Sequence, residues 1–392
     1  MTSSSRPTRS RLLSLLSEAC EVEHGLACSY LYASFSLKHG QSEGLSFEQE
    51  QRVRRWAAQI SFVATQEMLH LAQAWNLLQA VGGTPYHMHP QFPLARGELP
   101  IHVTMSLAPF SAATLKRFLG WERPADLGDA TTASEPYSTV GELYNQIERL
   151  FDTLPPGDLF ITDPALQIGP ELADFPDLVR VTDADSAREA IRRIRHQGEG
   201  SVQDRDDCHF GIFTKIQSDL AAEARRDSKF APAMAVVENP AARPYPGATR
   251  VTDPVALRLM SLFDDAYGLT IRALAWTFGA ANPREPVTIG FARFAIRTMV
   301  AVLRPLGEVL MRLPSGVAGL NAGPSFSISR HVPLPDDRQV ARTVARERGT
   351  EIAAELRACA VELPPKAQGI VVMAAQTLAD QVALFGANQR GE

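Results

Sequence analysis

The stretch ATQEMLHLAQAWNLLQAVGG, residues 64–83, constrains this chain more than any other. Met68, Leu69, Leu71, Ala72 and Ala74 suit a helix packed inside a protein. Glu67 and His70 stand three residues apart on that helix, so they share one face. Burying a neutral polar group without a partner costs roughly 2–7 kcal/mol, and a charge costs more. These two side chains therefore require hydrogen-bonding neighbours or a metal ion.

The surrounding pattern is helical almost throughout. Residues 10–38 form one apolar-striped helix that stops at His39-Gly40. Ser46 with Gln49 three residues on is a capping box for a second helix, which runs to Val81 and stops at Gly82-Gly83. Each is about 45 Å long at 1.5 Å per residue, and the short loop between them makes them antiparallel neighbours. Further helices are expected over 111–121 and 137–151, and from a capping box at Ser186/Glu189 to RHQGEG. Others follow from CHFGIF onward, and over 254–279, 286–313, 336–358 and 363–386. Proline-rich or polar stretches at 84–110, 124–136, 153–177 and 231–253 are irregular. The fold class is all-α: a four-helix bundle over 10–230, long irregular insertions, and a helical region over 254–386. FARFAIRTMVAVLRPLGEVLM is too broadly apolar for a lone surface helix. The C-terminal region must pack on the bundle or on a partner subunit.

Glu23 sits mid-helix on an apolar background, with Tyr30 two turns on. Laying the first two helices antiparallel leaves Glu23 and Glu67 offset by only about 7 Å along the axis, which stagger absorbs. A Glu from one helix and Glu-x-x-His from its neighbour form half of a carboxylate-bridged di-iron site. Hard oxygen donors with one imidazole suit iron, with manganese as the alternative. The other half has to come from later helices. Glu199 and His209 qualify if the helix breaks between them and both sides of the break face the site. The remaining carboxylate is Glu142 or Glu122, which flank a loop. Glu142 is preferred because a regular helix follows it, although Thr139 and Glu142 also read as a capping box. His87 and His89 form a second metal-like pair, but in a proline loop.

The stretches EVEHGLACSYLYASFSLK, ATQEMLHLAQAWNLLQAVGGTP, SLAPFSAATLKRFLGWERP, STVGELYNQI and IRRIRHQGEG…HFGIF cover residues 11 to about 225. In this order the chain resembles the ferritin-like family that includes the iminophenyl-pyruvate dimer synthases, as in the ferritin-like part of violacein and rebeccamycin pathway enzymes. The resemblance implies a bundle holding two metal ions that react with O2 as co-substrate. It also implies an amino-acid-derived or aromatic small molecule as substrate, in secondary metabolism. Tyr30 is the candidate catalytic residue beside the metal ligands.

Composition narrows the alternatives. The chain has 392 residues, is 45% hydrophobic and 21% charged, and carries a net charge of −5. No basic footprint points to nucleic acid. An unbroken apolar run of about 18 residues, the mark of a membrane span, is not seen. Four cysteines without disulfide or metal spacing suit a reducing cytoplasm. Assembly with further copies of the chain fits the same composition. The competing reading is a metal-free helical scaffold or binding protein that kept the bundle, with Glu67 and His70 as a plain hydrogen-bonded pair.

Overall fold

The computed structural model describes residues 7–86, 92–94, 104–124, 137, 139–170, 177–200, 206–279, 285–328, 330 and 332–387. The His87/His89 pair and most of the 124–136 stretch lie outside these residues.

Helix α1 spans Arg9–Ser36 and α2 spans Phe47–Ala80. The Ser46/Gln49 capping box is formed in both directions and opens α2. The two pair along their length as an antiparallel hairpin, and their facing residues from Leu12 to Val81 lie in the core. The other two positions of the bundle are not single helices. One is split into α3 (Ala112–Trp121) and α4 (Val140–Thr153), the other into α5 (Ala184–Gly198) and α6 (His209–Arg226). α3 packs on α6, α4 on α5 and α1, and α2 touches both α5 and α6. The breaks fall at the middle of the bundle, where chain ends can turn polar groups inward.

Local details differ from the sequence reading for identifiable reasons. α5 starts ahead of Ser186 because Asp183 is its cap: the Asp183 carboxylate accepts the Ser186 N–H at 2.8 Å. The Ser186 hydroxyl accepts the Asp183 N–H in return, at 3.0 Å. Glu189 is instead a surface partner of Arg192 and Arg193. The 231–253 loop carries a two-residue parallel pairing, Pro240–Ala241 with Thr249–Arg250.

The C-terminal region consists of α7 (Pro254–Gly279), α8 (Pro286–Leu310), α9 (Arg338–Ala360) and α10 (Pro365–Ala387). α8 contains one π turn, Met299–Leu303, just before Pro305. Proline has no N–H for the carbonyl four residues back and clashes with it; the wider turn at that point relieves the clash. By length and composition α8 is apolar enough to cross a membrane. Arg293, Arg297 and Arg304 interrupt its apolar run. Here α8 packs on α7 and α10 along one face, with 44% of its apolar window buried.

One hydrophobic core runs from Leu12 through the bundle to Phe385. The seam between the two regions is close at Gly307 of α8, where an added Cβ would lie 2.6 Å from the Phe35 ring. Arg312 closes the same seam with an ion pair to Glu43 at 2.7 Å. Overpacking at such a contact typically costs about 1–3 kcal/mol. Gly307→Ala should therefore lower the urea midpoint by an amount corresponding to that loss, without changing helical circular dichroism. An unchanged midpoint would show that the seam is loose.

Candidate metal centre

Two groups of potential ligands meet inside the bundle. Glu23, Glu67 and His70 form one, and Glu67, Glu122 and His209 the other; within each group the ligand atoms lie within 4.8 Å of one another. Glu67 belongs to both. Its Oε2 lies 2.8 Å from His70 Nδ1, and its Oε1 lies 3.0 Å from His209 Nδ1. The outer carboxylates flank these imidazoles. Glu23 Oε2 is 3.5 Å from His70 Nδ1, and Glu122 Oε2 is 3.5 Å from His209 Nδ1. The two imidazole rings stack at 5.4 Å.

The halves repeat in their supporting contacts. Tyr144 donates to Glu23 Oε1 at 2.7 Å, and Tyr30 donates to Glu122 Oε1. Each phenol holds one oxygen of an outer carboxylate and leaves the other, Oε2, turned to the imidazole. His70 Nε2 faces the Gln197 amide oxygen at 2.9 Å, and His209 Nε2 faces that of Gln66 at 3.1 Å. An amide oxygen only accepts, so Nε2 carries a proton and Nδ1 is the atom turned to the carboxylates, protonated without a metal and a ligand atom with one. This is how ring orientation and tautomer are set in metal-ligating histidines.

Local folding explains the placement. Glu23 and Glu67 project from the middles of unbroken helices. Glu122 is the C-terminal cap residue of α3. His209 is the first residue of α6, after Cys208, whose sulfur accepts the Gly211 N–H. Gln197 lies in the last turn of α5. The split helices thus bring their ends, not their middles, to the site.

All five side chains are buried, none more than 4% exposed. Glu23 Oε2, Glu67 Oε1 and His209 Nδ1 make no well-aligned hydrogen bond, and the last two face each other only as an ion pair. Buried groups of this kind are costly unless a ligand completes them. Burial and the neighbouring Glu67 charge push Glu23 up to about 8. Glu122 is raised by the same two causes in the same order. Burial works against charge at Glu67 as well, but the imidazoliums of His209 and His70 outweigh it and hold this carboxyl well below its usual range. Burial opposes protonation of the histidines too; the Glu67 carboxylate outweighs it, raising His70 strongly and His209 to about 9. Without a metal, protons take the place of the cations. Three carboxylates with two imidazoles, and orphaned atoms turned inward, fit a pair of hard divalent ions.

The structure brings together five of the seven ligand candidates. Glu142 is outside both groups. It occupies the first turn of α4, where its N–H donates to the Thr139 hydroxyl at 3.2 Å, and its side chain is only half-buried. Of the two candidates for the third carboxylate, the structure brings Glu122 and not Glu142 within reach of Glu67 and His209. Glu199 is also outside both groups. It caps the end of α5 and pairs with Arg195 at 2.9 Å. It nonetheless lines a small cleft with Glu67, His70 and Glu122. Its carboxylate rests against Gly141, where a Cβ would lie 2.7 Å from Oε2. Tyr30 is buried at the site but partners Glu122 instead of Glu23, the residue with which it was expected to share a face. Tyr144, Gln66 and Gln197 were not anticipated. Gln66 immediately precedes Glu67, and Tyr144 lies two residues after Glu142, in words already singled out.

Known proteins similar to this chain indicate its family. Residues 16–218 match the family described as Ferritin-like. The chain is 28% identical to dichlorochromopyrrolate synthase of Lentzea aerocolonigenes, over 97% of this chain and 41% of that protein. It is 28% identical to 2-imino-3-(indol-3-yl)propanoate dimerase of Chromobacterium violaceum, over 81% of this chain and 34% of that protein. The chain therefore spans well under half the length of these relatives. A ferritin-like protein of Caulobacter vibrioides shares the fold, with a TM-score of 0.50 at 19% identity, covering 82% of this chain and 99% of that one. The chain belongs to the Ferritin-like family.

Proposed function

We infer that the chain is a non-haem di-iron enzyme that uses O2 to oxidise an amino-acid-derived aromatic small molecule in a biosynthetic pathway. The observation that carries this reading is the sharing of Glu67 between two matching ligand groups. A purely structural ion-pair network has no need of such a repeat. Bound iron would supply electron transfer to O2, which none of these side chains provides. Manganese meets the same donors, and elemental analysis separates the two. The names of the relatives, an indolyl-imine dimerase and a dichlorochromopyrrolate synthase, favour an indole-derived substrate.

The chain's own residues have defined tasks in this reading. Glu67 spans the two positions, while Glu23 with His70 and Glu122 with His209 close them. Burial places both phenols, Tyr30 and Tyr144, well above their usual range, so they stay protonated and keep donating to the outer carboxylates. The aromatic wall of Phe118, Trp121 and Phe213 around Tyr30 excludes water from that side. The cleft that reaches the carboxylates is lined by Arg123 and Arg195. Arg195 is already paired there with Glu199. At about 20 Å³ the cleft admits a water- or O2-sized molecule as it stands. Four buried free cysteines fit a cytoplasmic location.

Metal content tests this directly. Protein from iron-supplemented cells should carry two irons per chain, and Glu67→Ala should lose both while remaining helical. Glu142→Ala should keep both and alter stability by no more than about 0.5 kcal/mol, as a side chain away from the core does. Full metal content in Glu67→Ala would sink the assignment.

A pH experiment checks the imidazoles independently. At pH 7 the metal-free site holds protons on His209, raised to about 9, and on Glu23, raised to about 8. Incoming cations must expel them. Adding Mn(II) to metal-free protein in weak buffer at pH 7 should therefore release protons. The release should shrink as pH approaches 9, where affinity levels off. Metal binding without proton release at pH 7 would exclude His209 and Glu23 as ligands.

A further inference from the structure

On the other side of the α1/α2 pair lies a cavity that the metal centre does not use. Its volume is about 220 Å³, and its lining is almost wholly apolar. It is offset from the ligands by a single residue on each helix: His24 follows Glu23 and Met68 follows Glu67. Its floor comes from α1 and α7, and α8 closes it with Met299, Val300 and Leu303 of the π turn. Such turns recur at functional sites. The mouth lies between Thr65 of α2 and Val300 and Arg304 of α8, all exposed.

Three features specify what would fill this space. A buried polar cluster sits in the wall, at odds with its surroundings: Tyr267 hydrogen-bonds to His24, and Cys28 Sγ lies 3.3 Å from the same hydroxyl. The deep walls are aromatic, with Trp75 and Phe278 edge to face at 5.0 Å and Phe326 against Tyr267. Arg304 at the mouth is the one Lys, Arg, Asp or Glu among the described lining residues, and it is already paired with Glu308 at 3.0 Å. A dry cavity of about 150 Å³ is sufficient for benzene, so this one accommodates a larger ring system.

We propose that this cavity binds a neutral fused-ring aromatic molecule carrying a single hydroxyl or N–H, with that group on the Tyr267–His24–Cys28 cluster and the rings between α1, α7 and α8. The site is separate from the metal centre and does not rest on the oxidase reading. The rings are held by Trp75, Phe278 and Phe326, whose offset and edge contacts favour aromatic over aliphatic ligands. The phenol oxygen of Tyr267 can accept the ligand's hydrogen bond while keeping its own donor.

The test uses the full chain with 2-naphthol and naphthalene as probes, followed by quenching of tryptophan fluorescence. 2-Naphthol should bind saturably, one molecule per chain, and roughly two- to ten-fold more tightly than naphthalene, the worth of one hydrogen bond. Tyr267→Phe keeps the ring and should erase that preference while naphthalene binding persists. Ala292→Phe should fill the cavity and abolish binding of both probes. Removal of metal by a chelator should leave binding in place. The proposal is overturned if 2-naphthol shows no saturable binding to the wild type. It is equally overturned if its advantage survives Tyr267→Phe, or if chelation eliminates binding. Should Ala292→Phe fail to fold, the wild-type and Tyr267→Phe arms decide the matter alone.

Discussion

Glu67 is the contact on which the rest of the site depends. One carboxylate reaches His70 with one oxygen and His209 with the other. These histidines belong to helices far apart in sequence, so Glu67 ties the α1/α2 hairpin to the later half of the bundle. Its negative charge is also what holds both imidazoles protonated when no cation is present. A buried pair of this kind is weak evidence for stability on its own, because desolvation offsets much of the attraction. Its repetition on both sides of one residue, with inward-facing atoms that make no well-aligned hydrogen bond, points instead to a ligand that replaces the protons.

The split helices present their ligands differently from α1 and α2. A continuous third and fourth helix would bury its backbone groups in its own ladder. A broken one can end at the site, so that Glu122 at the last cap of α3 and His209 at the first turn of α6 turn inward. The amide of Gln197 at the end of α5 completes the His70 side. Arg123, Arg195 and Glu199 gather at a cleft beside these helix ends. The C-terminal helices add a second wall, against the opposite face of α1 and α2, and enclose the aromatic cavity there.

Much of this was legible in the sequence, and the rest was hidden for physical reasons. Glu23, Glu67 and His70 stood out because they interrupt the apolar background of uninterrupted helices, where periodicity assigns faces. Ser46/Gln49 marked the start of α2 for the same local reason. Glu122 was harder to recognise. A carboxylate at the end of a short helix before Arg-Pro resembles a solvated terminal charge, and only the tertiary packing of Tyr30 and Trp121 makes it a buried one. Glu142 looked better because a regular helix follows it, yet that helix begins at Val140, and Glu142 falls in its half-exposed first turn. Tyr144 and the two glutamines act across helices. Their partners are 121, 127 and 143 residues away in sequence, distances at which no local pattern operates.

Diffraction at the iron edge from crystals of iron-loaded protein tests the central claim most directly. The account predicts two anomalous peaks, one between Glu23, Glu67 and His70 and the other between Glu67, Glu122 and His209, with Glu67 touching both. A single peak that Glu67 does not reach, or no peak inside the bundle in protein that carries iron, would contradict it.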